Sequence, residues 1–275
     1  MFVQRSGNPT LNAFQAPSYA DLSDSSVAGA AAAQTRAGTM TLQGTVIKTA
    51  TLLAVCAITA VLVWKAMTGG VFGVTLSPFP TLLVGVLGGL VFALAITFKP
   101  KLAPYLSTVY ALLEGAALSA FSLIVAERWL GGADNTNATG TIFQAVVLTF
   151  AIAAAMLLAY GTGVIKGGKV FTAVAVTGAG GLMLYWVVLL VANGLFGAGL
   201  PNLYSSASPI GIGFTAICLL LASMFLVLDF RMIDQGVKRG APQYMEWFGA
   251  FSLLVTLVWI YIEVLRLLAK LQSRE

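Results

Sequence analysis

The sequence predicts an all-α integral membrane protein, a seven-transmembrane-helix bundle, and three observations carry that reading. Of the 275 residues, 59% are hydrophobic and only 9% charged, where a soluble domain carries about a quarter charged residues. The mean hydropathy is +0.91. Nearly charge-free runs recur at the length of roughly 20 residues that crosses a hydrocarbon core of about 30 Å. These runs divide the chain into residues 1–45, a disordered cytoplasmic tail, and residues 46–271, a transmembrane domain. The tail is rich in Ser, Ala, Gly, Asn and Gln, with Ala30 to Ala33 in a row, and has too little apolar surface to fold alone. It lacks the apolar segment of a signal peptide, so insertion is expected to begin at the first true helix.

The spans follow in order. The first is expected over about Val46 to Met67, with Lys48 and Lys65 snorkelling toward opposite headgroup layers. The second, about Phe79 to Phe98, begins after the Ser77-Pro78-Phe79-Pro80 break and stops at Lys99-Pro100-Lys101. The third covers about Pro104 to Ala126, with Glu114 its only charge. The fourth and fifth are about Thr141 to Thr162 and about Val170 to Asn193. No charge occurs between Val170 and Leu228, a length sufficient for two spans. The Gly194 to Pro209 stretch, with its Pro, Ser and Asn residues, is the natural break. The sixth span is then about Ile210 to Ile233, holding Asp229, and the seventh about Glu246 to Leu271, holding Glu263 and Arg266.

Alternate loops divide the fifteen Lys and Arg unequally. Ten fall on the amino-terminal side, from Arg5 and Arg36 to Lys238 and Arg239; the other five are Lys65, Arg128, Arg266, Lys270 and Arg274. The excess predicts a cytoplasmic amino terminus in a plasma (cell) membrane. Three of the five minority cations lie near the carboxyl end, so a re-entrant seventh segment with a cytoplasmic tail stays open. The net charge of +5 is placed between apolar runs, as membrane orientation requires, and does not suggest nucleic-acid binding.

Composition also excludes chemistry. There is no histidine, which removes histidine-based zinc sites, Ser-His-Asp catalysis and imidazole pH sensing. Cys56 and Cys218 lie inside apolar runs and read as small buried residues. The expected helix-seven lysine of a retinal protein is missing between Phe248 and Ile262, and no Gly-x-Gly-Asp of an intramembrane aspartyl protease occurs. No enzyme activity and no bound cofactor are expected. The acids within the spans, Glu114, Asp229 and Glu263, are costly in a bilayer, about 2.5–3.5 kcal/mol each on insertion scales, and each is a candidate site. Glu114 and Asp229 fall at similar depth in their helices, which suggests a shared cavity and a pair of hard oxygen ligands for a cation. Glu263 has Arg266 three residues on, as an ion-pair partner on one helix face. Asp234 and Glu246 are read as solvated acids at the loop edge. The glycines Gly85 and Gly89, four apart, favour close helix packing.

Leu226-Val227-Leu228-Asp229-Phe230 with Ile233, the block from Gly240 to Trp247, and Leu265-Arg266-Leu267-Leu268 resemble the end of a Bax inhibitor motif protein of the bacterial, actinobacterial-type branch. Tyr110-Ala111-Leu112-Leu113-Glu114-Gly115 with Ser119, and Ser6 to Leu11, resemble the same branch. The resemblance implies a seven-helix protein of the bacterial inner membrane that leaks calcium under pH control, through an aspartate in helix six and another in helix seven that share a proton. Asp229 matches the first. The place of the second is taken by Thr256, which donates a hydrogen bond but holds no proton in common. Glu263 lies seven residues farther along nearly the same face. The expected ion pathway and pH gate therefore comprise Asp229, Glu114, Thr256 and Glu263, with the lipid bilayer and calcium as partners. The alternative is a non-conducting membrane protein that modulates a membrane protease or stress pathway; a small-molecule transporter is a third possibility, without a visible repeat.

Overall fold

The computed structural model describes residues 38–69, 75–132 and 136–273. Most of the expected tail, residues 1–37, lies outside the described residues. Among the described residues the elements are α1 (Leu42–Thr68), α2 (Pro78–Phe98), a short 3-10 turn (Pro100–Leu102), α3 (Ala103–Trp129), α4 (Thr136–Gly161), α5 (Lys169–Gly194), α6 (Pro209–Lys238) and α7 (Met245–Gln272). All seven α-helices are long and apolar enough to cross a membrane.

Local signals set the helix ends. Thr41 is the N-cap of α1, and its hydroxyl accepts from the Gly44 amide at 2.9 Å. The helix thus starts four residues before the expected Val46, and Thr45, assigned to the tail, is buried inside it. Ser208 caps α6 by accepting from the Gly211 amide at 3.2 Å, with Pro209 in the first turn. Gly240, at φ 65°, closes α6 in the left-handed conformation that glycine adopts without strain. The turn it makes lets the Ala241 carbonyl accept from the Met40 amide at 2.7 Å, so the segment before α1 runs along the α6–α7 turn.

α7 is the central helix. It packs against α1, α3, α4 and α6, and 72% of its most apolar window is buried, against 11% for α1, α4 and α5. α2 lies on α3, and α5 lies on α6. The small residues expected to bring helices together do so. A Cβ added at Gly85 would lie 2.8 Å from the Ala117 Cβ and 2.8 Å from the Leu113 carbonyl oxygen. At Gly115 it would meet the Cys56 carbonyl oxygen of α1 and, at 2.9 Å, the Thr59 Cβ. The α1–α3 and α2–α3 seams are therefore backbone-close, and only glycine fits there. α7 is continuous over 28 residues, about 42 Å at 1.5 Å per residue. It is long enough for a full span, and its unbroken helix favours a crossing seventh segment over the re-entrant alternative.

Candidate functional site

Asp229 sits in the seam between α6 and α7, 8% exposed. Its two carboxylate oxygens accept from consecutive turns of α7: Oδ1 from the Ser252 hydroxyl at 2.5 Å and Oδ2 from the Thr256 hydroxyl at 2.6 Å. Residues four apart share a helix face, so α7 presents the two hydroxyls as a clamp. Both donate to the carboxyl oxygens, and such bonds are of the stronger kind when the carboxyl is ionised. Thr256 is thus opposite Asp229, where sequence reasoning put it. Ser252 was missed, although its i−4 spacing from Thr256 is legible in the sequence.

Glu114 is at the same level but in a different seam. The pairs Tyr110–Phe251, ring centroids 5.0 Å apart, and Ser122–Tyr261, hydroxyls 2.8 Å apart, set the register of α3 on α7. By interpolation Glu114 lies beside Leu254, between Ser252 and Thr256 in height. Its carboxylate, however, points at α2, where Oε2 lies 3.3 Å from a Cβ added at Gly89, with the Tyr110 side chain within hydrogen-bonding reach. Among the described residues Glu114 makes no contact with Asp229. The expected depth match is present, but the two carboxylates face different seams, Asp229 toward α7 and Glu114 toward α2. No group of three or more His, Cys, Asp or Glu side chains that could hold a metal ion occurs among the described residues. Asp229 and Glu114, expected as calcium ligands, therefore do not form a preformed cage.

Glu263 belongs to a third cluster near the carboxyl end of α7. Its Oε1 accepts from the Tyr204 hydroxyl at 3.0 Å and from the Trp259 indole at 3.3 Å, and its Oε2 from Arg266 at 3.0 Å. The Arg266 guanidinium lies 3.2 Å from the centroid of the Tyr204 ring, a cation–π contact. Tyr204 belongs to the α5–α6 loop, and burial holds its phenol above the ordinary value, so it serves as a neutral donor. Lys270 extends the stripe: fully buried, it donates to the Leu203 and Gly211 carbonyls at 3.2 and 3.1 Å and to the Thr215 hydroxyl at 2.8 Å. The expected Glu263–Arg266 pair is present. Lys270, read as a tail cation, is instead an internal tie between the α5–α6 loop, α6 and α7. Seven residues beyond Thr256, Glu263 is engaged by this cluster and not by Asp229.

At the opposite end Glu246 corrects another expectation. It is 2% exposed, not solvated: Oε1 accepts from the amide and hydroxyl of Thr41, both at 2.8 Å, and Oε2 pairs with Lys48. Lys48 therefore ties α1 to α7 and does not snorkel to the headgroups. Asp234 behaves as expected, pairing with Lys238 at the α6 end at 2.7 Å. Cys56 and Cys218 are free and buried.

The bundle thus has a hydroxyl-clamped aspartate at mid-height and a buried polar lock at each end of its central helix. No match was found among curated proteins or among solved structures. The profile of the family described as Bax inhibitor 1 like matches residues 15–273, a span that takes in all seven helices; the chain is a membrane protein of the Bax inhibitor 1 like family.

Proposed function

We propose that this protein is a pH-influenced cation leak pathway, with calcium as the cation, gated in the α6–α7 seam at Asp229. The observation that supports this reading is the Asp229 carboxylate, buried in the bundle and held by the Ser252 and Thr256 hydroxyls of the central helix. An ionised residue inside a membrane bundle is costly and marks ion or proton paths more often than packing. While ionised, Asp229 accepts two charge-assisted bonds that close α6 onto α7. Protonation weakens both acceptors and loosens the seam, coupling proton binding to opening. Glu114, at the same height in the α2–α3 seam, is a second carboxylate that a passing cation would meet if the helices part. Glu263 and Arg266 hold the far end shut. In this reading the multi-pass chain sits in a bacterial inner membrane, for which the resemblance to the actinobacterial-type branch is the support, with its amino terminus in the cytoplasm, for which the Lys and Arg excess of the amino-terminal side is the support.

The alternative, a non-conducting protein that modulates a membrane partner, draws on the lack of a multi-carboxylate cage among the described residues. Calcium entry into liposomes that contain only the purified protein separates the two. Flux that rises on acidification, and that changes in Asp229→Asn with helix content retained, supports the leak. Liposomes that stay tight at every pH would sink it and favour the partner reading.

A further inference from the structure

We propose that the cleft between α1 and α4 is a binding site for an anionic phospholipid, one acyl chain lying in the cleft and the headgroup phosphate on Lys65. The cleft has a volume of about 440 Å³. α1 supplies Leu53, Ala57 and Val61 to one wall, and α4 supplies Val146 and Phe150 to the other. Val61, Val146 and Phe150 are exposed, whereas the floor residues Leu254 and Val258 of α7 and Ser119 of α3 are buried. The cleft therefore opens sideways, between two helices that face the bilayer. From Leu53 to Lys65 it runs about 18 Å along α1, close to the depth of one leaflet, about 15 Å.

Its polar groups are few and lie where a phospholipid is polar. Lys65, in the last turn of α1, is at the end of the cleft beside Trp64, a pairing of cation and aromatic typical of headgroup depth. Among the described residues Lys65 has no acidic partner. The cleft itself is almost wholly apolar: Ser119 in its floor is 3% exposed, with its hydroxyl oxygen buried beneath the lining. A hydrocarbon chain therefore fills the apolar length, and the phosphate meets Lys65 at the open end.

The test uses the full chain in detergent micelles, with dioleoyl phosphatidylglycerol and dioleoyl phosphatidylcholine, plain or brominated in the acyl chain. The chain has five tryptophans, so the Trp64 signal is taken as the difference between the parent and Trp64→Phe. Brominated phosphatidylglycerol is expected to quench Trp64 at about fivefold lower concentration than phosphatidylcholine, the preference a single lysine near a phosphate provides. Lys65→Gln should abolish the preference, and Ala57→Phe or Val146→Phe, each filling the cleft from one wall, should abolish the saturable quenching. Equal quenching by both lipids in the parent, or a preference that survives Lys65→Gln, overturns the site. Quenching that is unaffected by either filling variant means only the annular lipid is being read, and overturns it too. None of these readouts depends on calcium flux.

Discussion

At Asp229 and Thr256 the proposed switch keeps its place in the α6–α7 seam while one of its two residue types is different. The threonine keeps the geometry of a helix-seven partner, donating at 2.6 Å, but brings no second titrating group. Protons shared between two carboxyls come off in coupled steps; one carboxyl with two hydroxyl donors titrates alone. Thr256→Asp should therefore give a steeper dependence of calcium flux on pH than the parent, measured side by side in liposomes, whereas Thr256→Val should leave one oxygen of Asp229 without its donor and raise the leak. Superimposable curves for all three would show that the α6–α7 clamp is not the switch. The far-end cluster carries a different expectation, because its charges are matched inside the protein. Glu263→Gln leaves the Arg266 guanidinium buried without its carboxylate, a loss of roughly 3–5 kcal/mol for a buried pair. Thermal unfolding in detergent should show it, and a stability change below about 1 kcal/mol would mean that water already reaches the pair.

At the scale of the helix, the spans were legible because each is an apolar run bounded by Pro, Gly or Lys, and helices need such runs to satisfy their backbone in lipid. The ends were less so. α6 continues to Lys238 past the expected Ile233, since Arg231, Asp234 and Lys238 make a polar turn that still closes its own backbone bonds. Arg231 donates to the Gly167 carbonyl of the α4–α5 loop, a tie no spacing in the sequence announces. Which helix lies at the centre was not legible at all: lipid-facing and core-facing surfaces are equally apolar, so composition does not separate α7 from α5. For the same reason the heights of Glu114 and Asp229 followed from residue counts, but their facing into different seams required the register of α3 on α7. The glycines allow a direct check. Gly115→Val drives a side chain into the α1 backbone at Cys56 and Thr59 and should cost at least the 1–3 kcal/mol typical of overpacking. Gly180→Ala, where a Cβ meets nothing within 4 Å, should leave stability unchanged or raise it by up to about 1 kcal/mol. Equal effects at the two sites would contradict the α1–α3 crossing.

For the whole molecule the open quantity is orientation, and the structure sharpens the charge argument that bears on it. The Lys48–Glu246 pair, the Met40–Ala241 bond and the Arg231–Gly167 bond gather the start of α1, the α4–α5 loop and the α6–α7 turn at one end of the bundle. Lys270 on Leu203, and Gln272, which accepts from Thr141 at 2.8 Å, gather the α5–α6 loop, the start of α4 and the end of α7 at the other. Orientation is decided by cations free to face the headgroups and the cytoplasm. Arg266 and Lys270 are buried among protein partners, which removes two of the five cations on the minority side and leaves three. Discounting Lys48, paired with Glu246, removes one of the ten on the other side and leaves nine. Two of the three carboxyl-terminal cations that argued against a seven-span crossing thus have no vote, and the bias toward the first end strengthens from two to one to three to one. We predict that reporters fused after Arg36 and at Gly168 lie in the cytoplasm, and that reporters at Gly132 and after Ser273 lie outside. A cytoplasmic report from Gly132 would invert the whole assignment, and a cytoplasmic report from Ser273 alone would mean that α7, despite its length, does not cross. Exposing the buried charge should weaken the bias in a defined way: with Glu263→Gln and Thr215→Val combined, Arg266 and Lys270 lose internal partners and regain access to the headgroups. Topology reporters at Ser273 should then become mixed while those at Gly132 stay external, because only the last span carries the released cations.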